Sequence, residues 1–225
     1  MNFKSPQHTE PRRERAEIAL KRLLDRYPGT TTSLNAVSPW EILVATVLAA
    51  QCTDARVNAV TPEFFRRWPD PETLARAGRN EVERVIRSTG FFRNKAKHLI
   101  QSARILRDRH GGEIPANMEE LLQLPGVARK TANIVLSGAY GVQEGIAVDT
   151  HVKRLAYRLG LTRSTVPERI EKDLTALFPR KEWGRINHLL VQFGRDVCQA
   201  RNPSCSVCDL GDICPRHGVQ GKKAA

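Results

Sequence analysis

The chain has 225 residues, enough for one large or two small domains, and 40% of them are hydrophobic, enough for a genuine core. A count of 36 Lys+Arg against 24 Asp+Glu leaves +12, which points to a polyanionic partner such as nucleic acid, with a solubilising surface as an equally open reading of the charge alone, and no segment joins a basic face to an exposed apolar one as membrane-surface binding needs. No apolar run reaches the roughly 18 residues of a membrane span, and the polar stretch from Met1 to Glu17, with Arg12, Arg13 and Arg15, lacks the apolar centre of a secretory signal, so a cytoplasmic protein is expected.

In chain order the pattern reads as helix after helix. Arg12 to Tyr27 places Ile18, Ala19, Leu23 and Leu24 on a helical period and stops at Pro28-Gly29. Ser38-Pro39-Trp40-Glu41 is a capping box with proline at the first helical position, and it opens a nearly all-apolar helix that should be central. Helices are expected from Asp70-Pro71, from Asn80 to Gly90, over Lys95 to His110, from the capping box at Asn117, and over Thr131 to Tyr140. Three more follow: His151 to Leu159, one opened by Pro167, and Trp183 to Phe193. No segment alternates with period two, so the fold class is all-α.

Five cysteines are present, an odd number. Four form the spacing Cys198-x6-Cys205-x2-Cys208-x5-Cys214, followed by Pro215, within a stretch that also holds the loop formers Asn202-Pro203 and Gly211. Four thiolates so close in sequence suit a metal site in a reducing compartment, not a secreted disulfide framework. Spacing alone leaves zinc and a cubane iron–sulfur cluster both open. Either would be a closed four-cysteine site with no position for substrate, hence structural. Cys52 stands apart and reads as a small buried apolar residue.

The stretch Leu124-Pro125-Gly126-Val127-Ala128-Arg129-Lys130-Thr131-Ala132 joins two helices. Gly126 permits positive φ and close backbone approach, and the unpaired N–H groups at the start of the second helix can hold a phosphate. An ordinary helical hairpin turn is the plainer alternative. Lys130 lies just inside that helix, where the dipole disfavours its charge; a neutral amine there would be nucleophilic. The residues alone leave a solvated lysine as the simpler reading.

At this point the chain resembles endonuclease III, the bifunctional DNA glycosylase family of the helix-hairpin-helix superfamily, from about Arg12 to Cys214. Four blocks carry the resemblance: Ala49-Ala50-Gln51-Cys52-Thr53-Asp54; Gly90-Phe91-Phe92-Arg93-Asn94-Lys95-Ala96; Leu124 to Ala132; and Ile146-Ala147-Val148-Asp149-Thr150-His151. The cysteine spacing agrees with that family's [4Fe-4S] loop. The resemblance implies two all-α lobes flanking a DNA groove, with the active site between them. One is a six-helix domain over 33–142 and the other joins 1–32 to 143–225. It implies a monomer acting near the nucleoid on double-stranded DNA with damaged bases or abasic sites, excising oxidised or ring-saturated pyrimidines. Lys130 would attack the sugar C1′, and β-elimination would cut the strand on the 3′ side. Asp149 would be the essential carboxylate, stabilising charge on the sugar and assisting deprotonation; its plainer role is a helix N-cap before Thr150. DNA contacts are implied for Gln51, Phe91, Leu124, Gly126, Val127, Ala128, Arg129, His151 and Arg201. Of these, Gln51 and Phe91 would enter the base stack when the target nucleotide is flipped out.

Three departures from the family pattern stand out. Ala128 replaces a common glycine, which preserves phosphate binding if φ is negative there. The segment around Val142 to Gly145 is one residue longer. Asn202 and Ser204 stand where basic residues are common, so contacts from the Arg201 loop should be weaker. The adenine-mismatch branch is the nearest rival. It lacks a lysine at position 130, carries Asp-Gly-Asn where this chain has Asp149-Thr150-His151, and adds a C-terminal recognition domain. A non-catalytic, metal-stabilised DNA-binding module is the alternative from another class.

Overall fold

The structure is a computed structural model that describes residues 11–219. Every regular element among the described residues is helical, as the missing period-two alternation requires. The chain divides into two compact units, Thr32–Glu144 and the described residues up to Thr31 together with those from Gly145 onward.

In the first unit the helices are α2 (Pro39–Leu48), α3 (Asp54–Arg67), α4 (Pro71–Ala75), α5 (Arg79–Ile86), α6 (Phe92–His110), α7 (Met118–Leu121) and α8 (Arg129–Tyr140). That is seven α-helical segments where six are expected, two of them being single turns of five and four residues. The α2 helix forms the centre. Trp40 and the residues from Ile42 to Leu48 are all buried in it, against Val57, Phe64, Ile86, Leu99 and Leu136 from its neighbours. Burying each large side chain of this kind stabilises the fold by about 1.5–3 kcal/mol. The capping box is made as the sequence predicts: Ser38 Oγ accepts from Glu41 N at 3.2 Å, and Glu41 Oε2 accepts from Ser38 N at 3.2 Å.

Helix α3 has no counterpart in the sequence expectation. Pro62 lies inside it and interrupts the helical signal by removing one backbone donor. Thr53 caps its start and Phe64 and Val57 bury its inner face, so packing outweighs the local penalty. The expected start at Asn80 is displaced to Arg79, with Gly78 as the cap.

The second unit holds α1 (Arg12–Arg26), α9 (Thr150–Arg158), α10 (Pro167–Thr175) and α11 (Trp183–Asp196). Leu23, Leu155, Ile170, Leu174, Ile186, Leu189 and Phe193 share one core. Asn187 is buried there and donates to Ala147 O at 2.8 Å, which fixes the strand-like approach to α9. No helix among the described residues is long and apolar enough to cross a membrane.

Candidate functional site

The hairpin between α7 and α8 is shaped by helix α6. Gly126 has φ +81°, and a Cβ there would lie 2.9 Å from His98 Nδ1 and 3.0 Å from His98 Cβ. Ser102 Oγ donates to Pro125 O at 2.9 Å, so α6 holds the turn from below at two points. Leu124 and Val127 are buried, and their N–H groups are spent on Leu121 O and Leu124 O. These two N–H groups therefore close the turn itself. Among the described residues no acceptor faces the N–H groups of Gly126 and Ala128. Ala128 caps α8 at φ −93°, a negative value. Arg129 and Lys130 follow, both exposed, in the first turn.

In the other unit Asp149 is the N-cap of α9. Its Oδ1 accepts from His151 N at 2.8 Å and from Val152 N at 2.9 Å. Two otherwise orphaned donors are thus satisfied by one carboxylate oxygen. The His151 ring is half-buried with Nδ1 3.1 Å from Arg154 Nη2. Burial pushes the Arg154 guanidinium below its usual range, and it donates to Cys198 O and Gly194 O. Arg201 is exposed in the loop between the first two cysteines, beside Asn202 at φ +52°.

Gln51 and Phe91 share an uncommon backbone state. Gln51 has φ +54° and Phe91 φ +46°, the left-handed region that few non-glycine residues occupy. Both are exposed, Phe91 at 62% of its surface, whereas its neighbour Phe92 packs partly against the core. Between the two loops lies Lys95, whose Nζ donates to Leu48 O at 2.7 Å and Thr89 O at 2.8 Å. Sequence reasoning assigns Lys95 no role. The one available signal is a cation on the inward face of α6, in step with Leu99 and Ser102. Cys52 is half-buried against the same core, so its reading as a fully buried residue is corrected to a partial one.

The four C-terminal cysteines line one cavity with about 410 Å³ of unfilled space, some of it open to solvent. Its other walls are largely apolar, with Leu155, Leu159, Phe193, Val197 and Leu210. Gly211 lets the chain pass beneath: a Cβ there would meet Cys208 O at 3.0 Å. Burial raises the Cys208 thiol and takes Cys214 up to about 11. Arg158 is buried beside them, with Nη1 3.3 Å from Cys198 Sγ, and donates to Gln199 O and Ala200 O. Among the described residues no three His, Cys, Asp or Glu side chains gather closely enough for a single ion. The four thiols share the lining of this one cavity with those apolar side chains.

Residues 44–180 match the family model described as HhH-GPD superfamily base excision DNA repair protein. The chain is 52% identical over 204 residues to an endonuclease III of Synechocystis, covering 91% of this chain and 93% of that protein. Among solved structures it is similar to one described as a non-covalent endonuclease III–DNA complex (TM-score 0.86, 40% identity, 90% of this chain and 94% of that one). It is equally similar to one described as a trapped endonuclease III–DNA covalent intermediate, an estranged-adenine complex (TM-score 0.86, 40% identity, 90% and 95%). With 44–180 matching that family model and most of the chain 52% identical to an endonuclease III, the chain belongs to the endonuclease III family of the HhH-GPD superfamily.

Proposed function

We propose that this chain is a base excision repair enzyme, a bifunctional DNA glycosylase and abasic-site lyase, acting as a monomer on duplex DNA. The observation that carries the reading is an exposed lysine, Lys130, in the first turn of a helix entered through the Gly126 hairpin. A relative of 40% identity is described as trapped in covalent union with DNA, which is the chemistry an amine nucleophile supplies. The Gly126 and Ala128 N–H groups at the positive end of α8 receive a backbone phosphate, which fixes register without reading sequence.

Lys130 attacks C1′ of the flipped nucleotide. The C1′–N bond to the base breaks and the base leaves with the electron pair, taking up the proton that the attacking amine gives up; the C1′–O4′ bond then opens, O4′ takes up a proton, and the nitrogen–carbon link becomes a protonated Schiff base. Loss of a C2′ proton then expels the 3′ phosphate and cuts the strand. Asp149 supplies an anion that stabilises the positive charge developing on the sugar, while its Oδ1 serves the helix cap. Gln51 and Phe91 fill the gap left in the stack. The substrates are oxidised or ring-saturated pyrimidines, and the working place is the nucleoid. Cys198, Cys205, Cys208 and Cys214 hold a [4Fe-4S] cluster, which when bound supplies structural closure of the loop that carries Arg201.

Borohydride trapping tests the mechanism. The wild type should give a covalent adduct with abasic duplex and Lys130→Ala should give none. An adduct from Lys130→Ala would overturn the assignment, and no adduct from the wild type would favour a non-catalytic DNA-binding module. Iron analysis should return about four atoms per chain, and zinc in their place would refute the cluster.

A further inference from the structure

Lys95 is a buried cation with no part in the chemistry above. Its side chain reaches two separate loops. It meets the Leu48 carbonyl at the C-terminal end of α2, three residues before Gln51, and the Thr89 carbonyl, two residues before Phe91. Its own N–H donates to Phe91 O at 3.1 Å. The main chain around Phe91 is thus held by one residue on both sides, with Gly90 at φ +70° completing the bend.

A buried ammonium needs partners, and here both are carbonyls that regular structure leaves unpaired. Leu48 ends a helix, so its carbonyl sits at the negative pole of the α2 dipole, a favourable place for a cation. Left-handed backbone at non-glycine residues persists only where surroundings over-determine it. Gln51 and Phe91 are exposed and gain little from packing, so the constraint must come from the chain beneath them. Burial also lowers the Lys95 ammonium, with the neighbouring Cys52 thiol opposing that shift.

We infer that Lys95 is a positioning residue that locks the Gln51 and Phe91 loops to one another, so that the two side chains are presented to the DNA stack at a fixed separation. The inference rests on the proposed wedge role of Gln51 and Phe91 and adds the element that makes them one device. Lys95 touches neither DNA nor the reacting sugar.

The test uses the full cluster-loaded protein and one ratio, strand cleavage at an abasic site in duplex against the same site in a single-stranded oligonucleotide. Lys95→Met should lose about tenfold or more on duplex and stay within about twofold on the single strand, because misplacing a group by about 1 Å is costly only where its position matters. In a Gln51→Ala/Phe91→Ala background, Lys95→Met should cost nothing further on duplex. Equal losses on both substrates, or the same loss in both backgrounds, would make Lys95 merely structural and overturn the inference. If Lys95→Met does not fold, Lys95→Arg decides. Retaining a cation with several donors, it should keep the ratio within about threefold of wild type, and a ratio as low as that of Phe91→Ala would refute the tie. The underlying wedge reading fails separately, when Phe91→Ala itself leaves the wild-type ratio unchanged.

Discussion

Arg158 Nη1 stands 3.3 Å from Cys198 Sγ, and the same guanidinium donates to Gln199 O at 2.7 Å and Ala200 O at 3.0 Å. One buried side chain on α9 therefore fastens both the first thiol and the start of the loop that follows it. Replacing Arg158 with Met takes the charged donor away from two part-buried carbonyls, Gln199 O and Ala200 O. The expected cost is about 2–3 kcal/mol in thermal unfolding of the cluster-loaded protein, with faster iron loss to a chelator. A loss under about 0.5 kcal/mol would show that the loop does not depend on this anchor.

Asp149→Asn separates the observed helix cap from the catalytic role proposed for that residue. Asparagine caps a helix as well as aspartate does, so the melting temperature should hardly move. Excision should fall by about a hundredfold or more, because the anionic oxygen is lost, while binding to abasic duplex survives. Near-normal turnover would leave Asp149 as a cap alone. Asp149→Ala should lose the activity and about 1 kcal/mol of stability together.

Gly126→Ala meets two obstacles, a φ of +81° and a Cβ 2.9 Å from His98 Nδ1. The expected cost is about 1–3 kcal/mol, with weaker binding to undamaged duplex as the turn shifts. Shortening His98 to Ala in the same chain removes the Nδ1 contact and keeps the Cβ at 3.0 Å, so it should recover some of the steric part and leave the backbone part. Recovery of the whole loss would mean that φ is not the problem.

Affinity for undamaged duplex should drop at least about tenfold between roughly 50 and 200 mM salt, since each phosphate contact releases condensed counterions. Titrations at several salt concentrations give the slope directly. Arg201→Ala should lower that slope by less than about one unit, as expected for an exposed loop with Asn202 and Ser204 beside it. A flat response would remove phosphate tracking from the account.

Much of this was legible in the residues. The all-α class follows from periodicity and caps, and the Ser38–Glu41 capping box is made as read. The family was legible in four short blocks. What escaped had physical reasons. Pro62 hides α3 because local propensity opposes the helix and only burial of Phe64 and Val57 restores it. Lys95 and Arg158 escaped because a buried cation looks the same in sequence as a solvated one; only the carbonyls facing it reveal its work. That the Leu124 and Val127 N–H groups close the turn itself depends on its backbone geometry, which the residue pattern does not specify.

The left-handed backbone at Gln51 and Phe91 bears on how a repair protein searches. Sound base pairs vastly outnumber lesions, so a scanning protein makes almost all its encounters with DNA it must release. Were the two loops to take up that conformation only at a lesion, every productive event would carry an ordering cost, and recognition would wait on a rearrangement. Set during folding instead, the conformation makes no demand at the moment of contact. The discrimination then shifts to the DNA: how readily a given base pair yields to a probe whose shape does not change from one site to the next.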